Sequence, residues 1–287
     1  MSLQSNLAEY AAELMVYFEK HKLIEISKRI LVECALERPD NVPLWMGKNI
    51  KRIAASIYQD CLNQGKDGVI ASLHLSANFL YRVVFFGRRG SGRKTQAIYL
   101  ARRFNLVYLN AENLIHQYLR GDDKNPQEPL ARELQRAFYY NNCKAKSTAL
   151  AAIISKRLLD EDCLTQGWVL VNFPHTTADF RELLENFKIP PNKVVYLQCP
   201  EEICMSRLLD MPNCGLPSNN RKYFEQEMWF YKQNEIAIDE YLSKRHETIY
   251  VNGSGNSQAV KNEMFAKLEK TPYIMGCKQD TWDLMNK

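Results

Sequence analysis

The residues best suited to chemistry lie in one short segment, Phe85-Phe86-Gly87-Arg88-Arg89-Gly90-Ser91-Gly92-Arg93-Lys94-Thr95-Gln96. Gly87, Gly90 and Gly92 fall between an apolar run and a helical pattern. Glycines so placed let a backbone curl and aim its N–H groups at one point, the way a strand-to-helix turn holds phosphate. The strict pattern G-x-x-x-x-G-K-[ST] asks for lysine and then a small hydroxyl residue. Here Arg93 and Lys94 stand in those places. The segment reads as an anion cradle with altered contacts, against the simpler reading of a tight strand-to-helix turn.

A strand must deliver that loop and a helix must carry it away. Short apolar or β-branched runs near 82–86, 106–109, 168–172, 193–197 and 247–251 alternate with helical patterns. Such alternation implies crossover helices and a parallel sheet covered on both faces. The expected fold is α/β: a five-stranded parallel sheet with the phosphate loop after its first strand, where open α/β sheets bind ligands.

Ahead of it the sequence reads as helix only. Asn6 followed by Glu9 resembles a capping box, and Leu7, Tyr10, Ala11, Leu14 and Phe18 recur at helical spacing. A second helix is expected over 23–36, and a third from Pro43 through Ile50, Ile53 and Ile57. These helices are too short and one-sided to form a sizeable core alone. Asn63-Gln64-Gly65-Lys66-Asp67-Gly68 marks a candidate linker.

Composition narrows the classes. The 287 residues are 46% hydrophobic and 25% charged, with 12 Gly and 11 Pro, which fits a folded rather than a disordered chain. No apolar run nears the ~20 residues that span a bilayer, and the start Met1-Ser2-Leu3-Gln4-Ser5 has no signal-peptide core. A cytoplasmic location without membrane contact is expected. The eight cysteines form no C-x-x-C pair, so reduced, mostly buried thiols are expected and no metal site. With 38 basic and 33 acidic residues, nucleic-acid binding is disfavoured.

Two further segments carry a family resemblance. Asp162-Cys163-Leu164-Thr165-Gln166-Gly167-Trp168-Val169-Leu170-Val171-Asn172-Phe173-Pro174-His175-Thr176 resembles the adenylate kinase segment D-C-x-x-x-G-[FW]-[IV]-L-D-G-F-P-R-T. The run Lys188-Ile189-Pro190-Pro191-Asn192-Lys193-Val194-Val195-Tyr196-Leu197, then Pro200 to Arg207, is similar to that family's next strand and helix. The likeness covers roughly 80–270. A weaker one links Tyr17 to Pro43 with dimerisation and docking helices of the kinase-regulatory-subunit type, found ahead of some ciliary and flagellar adenylate kinases, notably the isoform 8 type. The implied organisation is a docking-like segment over 1–62, a linker or helix over 63–80, the kinase-like domain over 81–270 and a tail over 271–287.

The family implies ATP or ADP, with Mg²⁺, over Gly87, Gly90, Ser91, Gly92, Arg93, Lys94, Thr95 and Gln96. Its residues of phosphoryl transfer are largely exchanged. The loop lysine corresponds to Arg93, a broad planar cation in place of a compact one. The acceptor-gripping arginine corresponds to His116, the catalytic arginine to His175, the adenine-reading glutamine to Asp179, and the metal-organising aspartate to Val171. In the lid Arg207 matches, but the second arginine falls near Met211, Arg221-Lys222 replaces an acidic pair, and a later arginine corresponds to about Glu227.

Phosphoryl transfer relies on positioning and positive charge. Each lost donor costs about 3 to 4 kcal/mol of transition-state stabilisation, so four losses remove most of the ~8 to 23 kcal/mol that enzymes supply. The implied protein is a weak or inactive kinase relative acting as a structural or docking component of the axoneme. Its expected partners are docking helices or a second copy, through residues 1–62. The alternative is an active nucleoside monophosphate kinase in which Arg93, Lys94 and His175 take altered roles. Arg88 and Arg89 read as solvated charges. His21, His74 and His246 read as surface or packing residues, and Trp168, Phe173 and Phe180 as core. Tyr223, Phe224, Trp229, Phe230 and Tyr231 read as packing on the sheet, with a partner surface as the second option. Tyr139-Tyr140 and the tail from Tyr273 allow the same two readings.

Overall fold

The computed structural model describes residues 3–67, 80–120, 129–210, 221–271 and 274–286. Three helices open the chain: α1 (Leu3–Lys20), α2 (Leu23–Glu37) and α3 (Val42–Asp67). Then come β1 (Arg82–Gly87), α4 (Arg93–Phe104), β2 (Val107–Asn110), α5 (Ala111–Arg120), α6 (Pro129–Tyr139), α7 (Cys143–Arg157), α8 (Glu161–Gln166) and β3 (Trp168–Val171). A short α9 (Thr177–Arg181) runs on into a π-helical turn, Glu182–Asn186. The chain continues through β4 (Lys193–Gln198), α10 (Glu201–Leu209), α11 (Arg221–Ser243), β5 (Thr248–Asn252), α12 (Ser257–Lys270) and α13 (Lys278–Asn286).

The described strands form one parallel sheet in the order β2-β3-β1-β4-β5. Each strand is a nearly continuous apolar run because helices cover both faces. Side chains alternate between those faces. From β3, Trp168 and Leu170 join a cluster with Leu134, Ile153 and Ile154, while Val169 and Val171 join Leu100, Met264 and Leu268 on the other side. The expected strands lie within a residue or two of the observed ones, and Trp168, Phe173 and Phe180 are fully buried.

The N-terminal helices differ from expectation in two ways. First, α1 begins at Leu3, so Asn6 lies inside the helix rather than at its N-cap. Second, the apolar repeat on α1 faces outward: Leu7, Tyr10, Leu14 and Tyr17 are 69, 60, 37 and 54% exposed. The face turned to the protein carries Val16 and three acids. Glu19 pairs with Arg82 at 2.5 Å, and Lys188 pairs with Glu9 and with Glu13. Helical spacing groups residues on a face but leaves its direction open, and here ion pairs set the direction.

α2 and α3 close on each other through Ile26, Ile30, Trp45, Ile53 and Ile57. α3 continues to Asp67, and residues 68–79 of the expected linker or helix lie outside the described residues. His74, the lid residues 211–220 with Met211 and Cys214, and Tyr273 lie outside them too. Among the described cysteines no disulfide forms; Cys163, Cys199 and Cys204 are buried, Cys34, Cys61 and Cys277 half-buried, and Cys143 exposed.

The C-terminal segment packs back on the body, with α13 against α3 and Arg245 bridged to Cys277. Beneath it His246 is buried, its Nε2 3.1 Å from the Thr281 hydroxyl. Burial, then the charges of Lys278, Lys193 and Arg245, lower its pKa to about 4. The unfolded imidazole takes up a proton below its ordinary value of about 6.5 and the folded one does not. Stability from His246 is therefore complete above about pH 6.5 and is lost as pH falls toward 4. Urea titrations across that range should show a fall of ~1 to 3 kcal/mol that His246→Gln largely removes. An unchanged slope in the variant would exclude this origin.

Candidate functional site: a phosphate cradle at the end of β1

β1 ends at Gly87, and the chain turns through Arg88 to Gly92 before α4 begins at Arg93. Gly87 and Gly90 have φ of 144° and 86°, and a Cβ on either would meet a backbone oxygen, that of Leu197 or Cys204, at 2.5 Å. Only glycine satisfies both demands. Gly92 has φ 97° and caps α4 without a side chain. The amide-rich end of α4 thus opens into a cleft of ≈ 1230 Å³.

The segment expected to bind nucleotide lines that cleft from Gly87 and Gly90 through Gln96, and His175 and Arg207 line it too. Ser91 and Gln96 are buried, and the Ser91 hydroxyl and the Gln96 side-chain oxygen lack hydrogen-bond partners among the described residues. Buried polar atoms without partners cost free energy, so the cradle is built for something that supplies them.

Its cations are unequal. Arg88 hydrogen-bonds Glu235 at 2.6 Å and the Cys199 carbonyl, and lies over the Tyr231 ring. Arg89 sits between both Glu227 oxygens at 2.9 Å and beside Tyr223. Neither is the solvated charge expected: both are held by carboxylates from α11. Arg207 spends its guanidinium on the carbonyls of Gly253, Ser254 and Gly255 and shapes the loop after β5. Lys94 pairs with Glu112 at 2.7 Å.

Arg93 is the exception. Among the described residues its guanidinium shows no hydrogen bond or ion pair. Burial, aided by the charge of Arg89, lowers its pKa. The Glu112 and Glu227 carboxylates oppose that shift without bonding the guanidinium, so its donors stay open to an arriving anion. His175 is exposed to the cleft, yet surrounding protein and then Arg93 hold its imidazole below the usual range, so it stays neutral near pH 7.

The acceptor-side residues are not assembled. His116 is exposed on α5 and does not line the cleft. Asp179 is buried and occupied: its carboxylate accepts the N–H groups of His175 and Thr176 and the Ser147 hydroxyl, forming the capping box of α9. Three of its roughly four acceptor sites are therefore taken within the protein. Val171 is fully buried on the face of β3 that packs against α4 and α12, and among the described residues no cluster of His, Cys, Asp or Glu is placed to hold a metal.

Three residues that line the cleft or support it, Glu112, Asn172 and Glu235, were not foreseen, while Tyr231 packs on the sheet as expected. Glu112 sits at the start of α5, two residues past the end of β2, and its carboxylate reaches Lys94. Asn172 has φ 63° and donates to Asn110 across the strand ends. Tyr231 stacks on Phe86 and hydrogen-bonds Tyr196, and Glu235 tethers Arg88 from 147 residues away.

Fold and cradle together define an α/β protein whose five-stranded parallel sheet carries a glycine loop after its central strand. No family model matches the chain. Curated relatives do: adenylate kinase 8 of Homo sapiens is 26% identical over 197 residues, covering 69% of this chain and 34% of that protein. Adenylate kinase 8 of Rattus norvegicus is 26% identical over 212 residues, with 70% and 42% covered. Adenylate kinase 1 of Nostoc sp. is 24% identical over 190 residues, covering 65% of this chain and 98% of that protein. The chain is a distant relative of the adenylate kinases, about equally far from the two kinds. It matches only about a third to two-fifths of the length of these adenylate kinase 8 relatives.

Proposed function

We propose that this protein is a degenerate adenylate-kinase-like nucleotide binder, weak or inactive in phosphoryl transfer. Arg93 carries the reading: it is the walled cation at the mouth of the cradle left without a partner among the described residues. ATP or ADP would place a phosphate against the Gly90–Lys94 backbone, Arg93 and the Ser91 hydroxyl. Mg²⁺ would arrive on the nucleotide. With His116 outside the cleft and Asp179 consumed by a helix cap, the acceptor side has little with which to orient a second phosphate.

The test pairs nucleotide calorimetry with an ADP-formation assay from ATP and AMP. Binding without turnover is expected; turnover of ~10 per second, ordinary for enzymes, would overturn the reading. Such turnover is the second reading, an active monophosphate kinase, favoured by the near-complete coverage of the Nostoc enzyme. It requires activity that depends on Mg²⁺ and collapses in Arg93→Ala.

The same proposal extends to a docking role in the ciliary or flagellar axoneme. The resemblance of Tyr17 to Pro43 to docking helices supports it, as does the outward stripe of Leu7, Tyr10, Leu14 and Tyr17. Light scattering should show the full chain self-associating, or taking up an amphipathic helix, with Leu7→Glu/Leu14→Glu preventing both. Tagged protein absent from axonemes of ciliated cells would sink the location.

A further inference from the structure

Glu112 faces three cations across the cradle. Its carboxylate is bonded to Lys94 and feels Arg89 and Arg93. Burial pushes this carboxyl up, but the Lys94 hydrogen bond and the three positive charges outweigh it and hold it below the usual range. It is therefore a fixed negative charge at neutral pH. Lys94 stands at the second helical position after the last loop glycine, so Glu112 neutralises a cation that a phosphate chain would otherwise meet.

The charge balance of the cleft follows. Arg89, Arg93, Lys94 and Arg207 line it with Glu112, Asp210 and Glu227, a formal surplus of one positive charge among the described residues. A nucleoside triphosphate brings about four negative charges, a diphosphate about three. Lys94 and Glu112 both line the cleft, so a ligand that brings more negative charge into it meets a fixed carboxylate beside the loop cations. Both side chains are nearly half exposed, at 48 and 41%, so their pair is weak and opens for a competing anion at modest cost.

We infer that Glu112 is a specificity-determining residue that makes the cradle prefer a nucleoside diphosphate to a triphosphate. The inference rests on the nucleotide-binding reading above and adds the ligand class. It differs from simple loss of chemistry, because removing Glu112 should restore rather than damage an affinity.

The experiment is calorimetry on the full chain with ADP and ATP, each with and without Mg²⁺, for the unaltered protein, Glu112→Gln and Arg93→Met. The unaltered protein should bind ADP several-fold more tightly than ATP. Glu112→Gln should tighten ATP by ~5- to 20-fold and ADP by less, as expected for one removed charge a few ångströms from the phosphates. An unchanged ADP-to-ATP ratio in Glu112→Gln would overturn the role of Glu112 while leaving the binding site intact. Absence of binding by either nucleotide, or binding that survives in Arg93→Met, would overturn the binding reading instead. Melting curves of both variants without ligand, close to that of the unaltered chain, confirm that folding is not what is being measured.

Discussion

Arg93→Met should abolish most nucleotide binding while leaving the empty protein as stable as before, or slightly more so. A hydrogen-bonded charge on a phosphate is worth about 1.5 to 3 kcal/mol, so affinity should fall ~10- to 150-fold. Stability changes little because the guanidinium makes no hydrogen bond or ion pair among the described residues, and its burial is opposed by the nearby charges of Glu112 and Glu227. Methionine removes the desolvated charge and keeps most of the stem. Thermal shift with saturating ADP shows both effects: the melting point without ligand holds or rises, and the ligand-dependent increment shrinks. A variant that binds like the parent would show that Arg93 does not touch the ligand. Arg93→Lys restores the compact charge of the strict loop pattern, yet it should not restore transfer, since Val171, His116 and Asp179 stay unchanged.

Arg82→Met should be the most destabilising of the substitutions considered, although it lies at the opposite end of β1 from the cradle. The Arg82 side chain is 6% exposed and the Glu19 side chain 15%. Arg82 also donates to the Pro190 carbonyl at 2.8 Å. Removing one partner leaves a largely buried carboxylate and a carbonyl unpaired, which costs about 3 to 5 kcal/mol. At about 2 to 4 °C per kcal/mol for a domain of this size, circular dichroism should record a drop of ~10 °C. The double variant Arg82→Met/Glu19→Leu should recover much of it, because an apolar pair avoids the desolvation cost of two charges. A loss under ~1 kcal/mol in the single variant would place the ion pair among the weak, solvent-screened kind.

The sheet was legible in the sequence because each parallel strand is buried on both faces and so reads as an apolar run with clear ends. Val83 to Phe86 and Val194 to Leu197 are such runs, and both became central strands. The cradle was legible for a related reason: Gly87 and Gly90 answer to backbone geometry that no other residue meets. Charge pairing was not legible. Arg89 and Glu227 are 138 residues apart, and nothing local marks them as partners. The side taken by α1 was hidden too, since periodicity shows that Leu7, Tyr10 and Leu14 share a face but not which way it turns. Asp179 illustrates the competing pull of family position and local sequence. The family's base-reading glutamine is exchanged there, and three residues earlier Thr176 marks the local role that Asp179 takes, a helix cap.

β1 joins two features that have been treated apart. Its first residue, Arg82, holds the N-terminal helices, and its last, Gly87, roots the cradle. The strand is hydrogen-bonded along both edges, to β3 and to β4. The N-terminal helices and the glycine loop thus sit at opposite ends of one strand whose every rung is tied to a neighbour.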